Sequence, residues 1–383
     1  MILEMKRYIK KIINKIRGKR ESELQRTTDW SELLPELLDL ISQKLPDICD
    51  FVRIRAVCVK WRLSLQPLNP AYPRGFFPWI YPVYGKNNMR RRVLFLLTQF
   101  SYKLQSLSLP ESFVCYPHDY NGFLLFHEPT DKSTLFIFNP LTRTKICLPS
   151  LSSLGVDYIL GTMHPIRVCP NRTGQCVFLF EVRNEPQNSA LVSCRVGDER
   201  WTLARVPYGL NYLRFIDVLY KDKYLVSFQK NIEGINTRVF DVATGSELYT
   251  IQTPRTNTDN SLVECSGELL WVAERWTGRM LTQEDIHLDI YQLDLEKLQW
   301  TKKSNIGNNI LFLDRSPGGF SVGTSNFPGH KGNCIFMIKD FLMQDSSGKR
   351  FYAVYRYDLE NGRTEEVWRP GCWCYWYMPS LIH

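Results

Sequence analysis

The sequence is short of several things at once. No apolar run is long enough to cross a bilayer; the longest, such as Val93 to Leu97, are strand-sized. The N-terminus reads as lacking a secretory leader, because lysines interrupt its apolar residues and no small-residue cleavage site follows. The 11 cysteines are scattered from Cys49 to Cys374 with no C-x-x-C pair, so they read as small buried hydrophobes of a reducing compartment. These absences place the protein in the nucleus, the cytoplasm or both.

Net charge is scarce in the body of the chain. Of the formal net charge of +9, most sits in residues 1–28, where nine Lys or Arg face Glu4, Glu21 and Glu23. The remainder is near neutral, and nothing in it demands a nucleic-acid partner. Catalytic signatures are missing too. There is no G-x-S-x-G, no H-E-x-x-H and no paired metal-ligand spacing. The segment "GGFSVGTS" (318–325) has P-loop-like glycines, but Thr324 stands where the lysine belongs. His118 beside Asp119 reads as a loop pair rather than an acid–base couple. Cys372 and Cys374, with His383 nearby, suit a strand core better than a soft metal. The expectation is a protein with no catalytic residue, no metal and no cofactor.

What is present divides into three textures. Residues 1–28 place Ile2, Met5, Ile9, Ile12, Ile13 and Ile16 at helical spacing among lysines, a basic amphipathic extension able to touch an anionic membrane or to lie against the next domain. Residues 29–68 form a small helical unit. Asp29 or Ser31 can cap a helix with Pro35 in its first turn. Leu34, Leu37, Leu38, Ile41 and Leu45 recur along it, and Pro46-Asp47 breaks it. Phe51, Ile54, Val57, Cys58 and Trp61 then line a second helix opposite Arg53, Arg55, Lys60 and Arg62. So few residues cannot bury all that apolar surface alone, and the leucine-rich face needs a partner. Residues 69–94 read as a linker or a lead-in to the β region.

Residues 95–383 carry an all-β pattern. Five hairpin signals recur, at 135–149, 191–207, 237–254, 289–304 and 352–368, anchored by Asn139, Gly197, Asp241, Asp294 and Asp358. Further strand pairs turn at Lys221-Asp222 and Ser266-Gly267. Two hairpins per roughly fifty residues make one four-stranded blade, and the pattern predicts a β-propeller of about six blades. An open β-sandwich is the competing architecture. Trp201 and Trp300 fall at one place in the pattern and read as packing between blades. Arg275, Trp276 and Arg279 are less periodic and are the candidate substrate-binding residues.

Two resemblances add to this reading. Leu34-Pro35-x-x-Leu-Leu-x-x-Ile-x-x-x-Leu-Pro, followed by Ile54-Arg55-x-Val57-Cys58-x-x-Trp61-Arg62, resembles an F-box. The resemblance implies a helical hook that docks on a Skp-type adaptor and through it on a cullin–RING ubiquitin ligase. Leu34, Pro35, Leu38, Ile41, Leu45, Ile54, Val57, Cys58 and Trp61 would build the hook or touch the adaptor; sequence does not separate the two jobs. The segments "NGFLLF", "NPLTRTKICLP", "GDERWT", "SGELLWVAE", "YQLDLEKLQW", "GNCIFM" and "WYMPSL" resemble the kelch-related C-terminal domain of many plant F-box proteins. Together they imply the substrate-recognition subunit of a Skp–cullin–F-box E3 ligase, which recruits an unknown protein for ubiquitination and makes no bonds itself. The alternative is a non-catalytic interaction or regulatory protein, its F-box idle in any ligase, tethered by the basic N-terminal helix.

Overall fold

A computed structural model describes residues 30–42, 45, 48–65, 78–83, 94–97, 102–105, 114–120, 122–127, 134–154, 159–170, 176–184, 188–204, 213–221, 224–231, 234–241, 246–254, 260–276, 286–313, 319–326, 331–342, 350–369 and 373–377. The basic extension, 1–28, lies outside the described residues.

A 3-10 turn, Trp30–Glu32, leads into three short helices: α1 (Pro35–Ser42), α2 (Ile48–Arg55) and α3 (Val59–Ser64). Pro35 opens α1, where its missing N–H costs no hydrogen bond. Cys58, in extended conformation, caps α3 by accepting the Trp61 N–H on its sulfur at 3.4 Å.

Six antiparallel-dominated sheets follow. Blade I combines Trp373–Tyr377 with Trp79–Val83, Leu94–Leu97 and Tyr102–Gln105. Blade II is the meander Val114–Tyr120, Phe123–His127, Leu135–Phe138, Lys145–Cys147. Blade III holds Ile159–Pro170, Cys176–Asn184, Asn188–Arg195 and Thr202–Ala204. Blade IV holds Leu213–Tyr220, Tyr224–Asn231, Gly234–Asp241 and Glu247–Gln252. Blade V holds Asn260–Cys265, Glu268–Trp276, Ile286–Asp294 and Gln299–Lys303. Blade VI has five strands in the order Gly319–Gly323, Asn309–Leu313, Cys334–Leu342, Arg350–Asp358, Arg363–Trp368. The first strands adjoin in a cycle, from Trp373–Tyr377 through Val114–Tyr120, Ile159–Pro170, Leu213–Tyr220 and Asn260–Cys265 to blade VI, whose Cys334–Leu342 meets Trp373–Tyr377 again. This is a closed six-bladed β-propeller behind a small all-α unit.

The five hairpins legible in the sequence are the outer strand pairs of blades II to VI. Their turn residues act locally. Asn139 Oδ1 accepts the N–H groups of Leu141 and Thr142. Asp294 Oδ1 accepts those of Glu296 and Lys297, and Asp358 Oδ1 that of Glu360. Short acceptor side chains holding the next backbone donors are what make Asn and Asp turn formers. At Ser266-Gly267 both residues have positive φ (52° and 80°), the two-residue turn whose twist matches its strands and favours glycine second.

Two features go beyond the local hairpin pattern. Of the two readings of 69–94, it is the entry to the first blade: the strand Trp79–Val83 pairs on one side with Leu94–Leu97 and on the other with Trp373–Tyr377. The β region therefore begins before residue 95; Pro82 inside the run argues against a strand when it is read alone. Blade VI contains an extra inner strand, Gly319–Gly323, made from the glycine-rich "GGFSVGTS" segment, and a parallel pairing between Asn309–Leu313 and Cys334–Leu342. That insertion lengthens the interval from Asp294 to Asp358 beyond the other repeats.

Tryptophans lock neighbouring blades. The Trp201 indole N–H donates to the Pro149 carbonyl at 2.8 Å, joining blade III to the end of blade II. That of Trp376 donates to the Leu313 carbonyl at 2.8 Å, joining blades I and VI. That of Trp300 donates to Thr237 Oγ1 at 2.8 Å, and Thr237 shares a second buried bond with Thr253. The Trp300→Phe variant removes that donor together with part of the buried ring system. We expect it to cost about 1–3 kcal/mol in urea unfolding; a change under about 0.5 kcal/mol would show that the blade IV–V bond contributes nothing.

Candidate functional site

The three helices separate into an inner and an outer surface. Leu38, Ile41, Phe51, Ile54, Trp61 and Leu65 are all buried in one cluster. Trp61 is the keystone, 1% exposed, with its indole N–H donated to the Trp30 carbonyl at 2.9 Å. That bond pins the segment before α1 to α3 and satisfies the ring's polar atom, as a buried tryptophan requires. An exposed Lys60–Glu32 ion pair at 2.7 Å links the same two segments and contributes at most about 1 kcal/mol. Leu45, Val57 and Cys58 pack partly buried against this cluster.

The outer surface is apolar too. Leu34, Leu37 and Leu40 on and before α1, and Val59 and Leu63 on α3, are all exposed, from 42% at Leu37 to 68% at Val59. The two helices adjoin. Five large aliphatic side chains facing solvent on a unit of 36 residues mark a surface built to be covered. Pro35 is exposed beside them.

The nine hook residues named from the sequence therefore divide. Leu38, Ile41, Ile54 and Trp61 build the core; Leu45, Val57 and Cys58 border it; Leu34 and Pro35 face outward. Leu37, Leu40, Val59 and Leu63 share the outward surface and were not among the nine. Their signal was an excess: α1 carries more leucine than one buried stripe can use.

Basic groups flank the hook. Arg53 pairs with Asp50 at 2.8 Å. The Arg55 guanidinium lies 5.9 Å over the Phe51 ring; burial first, and then the nearby Arg62 charge, lower its pKa from the ordinary arginine value.

On the propeller, the structure reaches only part of the proposed substrate set. Arg275 is exposed, yet Asp289, itself buried, holds it at 2.5 Å and holds Lys302 at 2.8 Å. Two cations on one carboxylate make a tie across Glu268–Trp276, Ile286–Asp294 and Gln299–Lys303 that holds the exposed Arg275 in place. The Trp276 side chain and Arg279 lie outside the described residues, as do Cys372 and His383 and the side chains of His118 and Asp119. Cys374 is a buried core residue of blade I.

No group of three or more His, Cys, Asp or Glu among the described residues is arranged to hold a metal ion. Burial pushes the Cys194 thiol up to about 12 and raises those of Cys265 and Cys334, so these three are protonated at neutral pH and poor nucleophiles. No helix among the described residues is long and apolar enough to cross a membrane.

The arrangement is a three-helix unit with an exposed aliphatic row, packed against a six-bladed propeller. Residues 94–362 match the family model described as KIB1-4 beta-propeller. The chain belongs to the KIB1-4 beta-propeller family, as a plant-type F-box protein whose C-terminal domain is that propeller. Among relatives of Arabidopsis thaliana, it is 21% identical to the F-box protein At5g60060 over 90% of this chain and 92% of that one. It is 22% identical to the F-box/kelch-repeat protein At1g64840 over 89% and 91%. To the F-box protein SKIP23 it is 45% identical over 42 residues, 11% of this chain and 10% of that one. The solved structure of TolB from Acinetobacter baumannii overlaps it with a TM-score of 0.47 at 10% identity, covering 84% of this chain and 71% of that one, too loose a likeness to add to the fold.

The division of the hook into two surfaces predicts two different costs. Trp61→Ala should destabilise the protein by about 3–5 kcal/mol, whereas Leu63→Ala should change stability by no more than about 0.5 kcal/mol. Urea unfolding of the two variants checks this; equal losses would contradict the inner and outer assignment.

Proposed function

We propose that this protein is a substrate receptor of a Skp–cullin–F-box E3 ubiquitin ligase, acting in the nucleus or cytoplasm. Its hook docks on a Skp-type adaptor through Leu34, Leu37, Leu40, Val59 and Leu63, and its propeller recruits a protein substrate. The chain makes no bonds of its own. It acts by holding substrate and ligase in one complex, which raises their local concentration and limits their relative orientations.

One observation carries the reading. The hook keeps a complete apolar core, Leu38, Ile41, Ile54 and Trp61 included, while a second row of aliphatic residues stays exposed on α1 and α3. A domain that only folded would not need the second row; a docking hook does. The family and the F-box relatives agree with it. Arg275, Trp276 and Arg279 stay within the proposal as substrate contacts, with Arg275 presented by Asp289.

The test is capture of a purified Skp-type adaptor by the full chain, beside the Leu37→Asp/Leu40→Asp variant. Both side chains are exposed, so the variant should fold. We expect the wild type to bind and the variant to lose at least roughly 30-fold in affinity, the equivalent of about 2 kcal/mol. A folded wild type that fails to bind would overturn the ligase role and favour a regulatory protein with an idle F-box.

A further inference from the structure

Between blades of this ring, apolar sheet faces cover one another. Trp271 and Trp300 of blade V pack with Val226 and Val239 of blade IV. Leu270 and Ile290 of blade V pack with Ile335 and Tyr355 of blade VI. Phe312 and Phe336 of blade VI pack with Ile80 and Trp376 of blade I. Blade II differs. Leu124, Phe126 and Phe136, which share one face of its two middle strands, belong to a single core with Leu38, Ile41, Phe51, Ile54, Trp61 and Leu65. Phe138 and Leu141 close the margin of that core. Phe126 stacks on Phe136 at 5.3 Å and meets Phe138 edge-on at 6.2 Å. Among the described residues, the three helices pack on this face of blade II.

We propose that blade II is the second half of the F-box core. The hook is then not a detachable module. Its helices and blade II open as one unit, and a partner bound to the outer row of α1 is felt in the strands of blade II. The link is one helix thick: Leu38 and Ile41 point into the shared core while Leu37 and Leu40 of the same helix stay exposed. Whatever fixes the outer row must also fix the inner one, and coupling between two sites is reciprocal. The unfolding side of this proposal is independent of the ligase reading; only its response to adaptor rests on it.

Native-state hydrogen exchange of the full chain in rising urea tests it. The amides of α1, α2 and α3 and those of Phe123–His127 and Leu135–Phe138 should lose protection in one step with one urea slope. Helices that open in a separate step at lower urea would overturn the proposal. Phe126→Ala is then compared with Phe312→Ala, an equally buried ring in blade VI whose core cluster, among the described residues, includes no helix residue. Phe126→Ala should lower helix protection at least tenfold more than Phe312→Ala; an equal effect would overturn the coupling. If Phe126→Ala does not fold, Phe126→Leu and the wild-type urea series decide it. Adding a Skp-type adaptor should slow exchange at Phe123–His127 at least threefold. Adaptor that binds and leaves blade II unchanged would count against the coupling. Adaptor that does not bind overturns the ligase reading, and the urea series still decides whether hook and blade are one unit.

Discussion

A blade of four or five strands cannot cover its own apolar faces. The ring meets that constraint by setting blade against blade, and at blade II the helices share the task. It can do so only if the circle closes, and closure rests on antiparallel pairing of Trp373–Tyr377 with Trp79–Val83, register Trp79 to Tyr377 through Val83 to Trp373. Those strands are nearly three hundred residues apart, so closing them costs loop entropy that local hairpins do not pay. Buried contacts offset it: Ile80, Cys374 and Trp376 enter the blade VI core, and the Trp376 indole donates to the Leu313 carbonyl. Edge-on packing of Trp376 against Phe312 at 5.1 Å adds to the same seam.

The same constraint accounts for where sequence reading succeeds and stops. The outer hairpins were legible because their information is local. Asn139, Asp294 and Asp358 hold the backbone donors two or three residues on, and an alternating strand follows each turn. Closure was illegible because its information is not local. Trp79–Val83 has a proline inside and no alternation; only its distant partner makes it a strand. The extra strand of blade VI hid for a related reason. "GGFSVG" has a glycine pattern that suggests a phosphate loop, yet its first strand residue, Gly319, serves close packing: a Cβ there would lie 2.7 Å from the Phe312 carbonyl and 2.6 Å from Leu313.

The hook shows a different limit. Periodicity located α1 and named Leu38, Ile41, Ile54 and Trp61, all of which are buried, but the second helix it drew from Phe51 to Trp61 is two, α2 and α3, parted where Cys58 caps α3. It did not separate inner from outer residues, because α1 is apolar over more than one stripe. Leu37 and Leu40 look like core in a helical projection of α1 until the position of blade II is known. The face that blade II covers is the core, and the face left over is exposed, the docking surface of the proposed role. Which leucine serves which purpose is thus settled by the propeller, not by the hook.

That dependence constrains how a receptor of this design works. A hook joined to its propeller by a flexible linker would present a bound substrate over a wide range of orientations, and local concentration would be its main contribution. A hook that shares its core with a blade has no such freedom. Side chains packed at protein density resist small displacements, so if hook and blade II are one unit, the propeller surface would hold its distance and angle from the row Leu34, Leu37 and Leu40. Orientation then joins concentration as a term in the rate of transfer to a bound substrate, and it favours substrates whose acceptor lysines lie where that geometry brings them. In the proposed role, selectivity would come from the propeller's binding surface together with the residues packed under the hook. Phe126 and Phe136, far in sequence from Arg275, Trp276 and Arg279 and wholly buried, would belong to the second group.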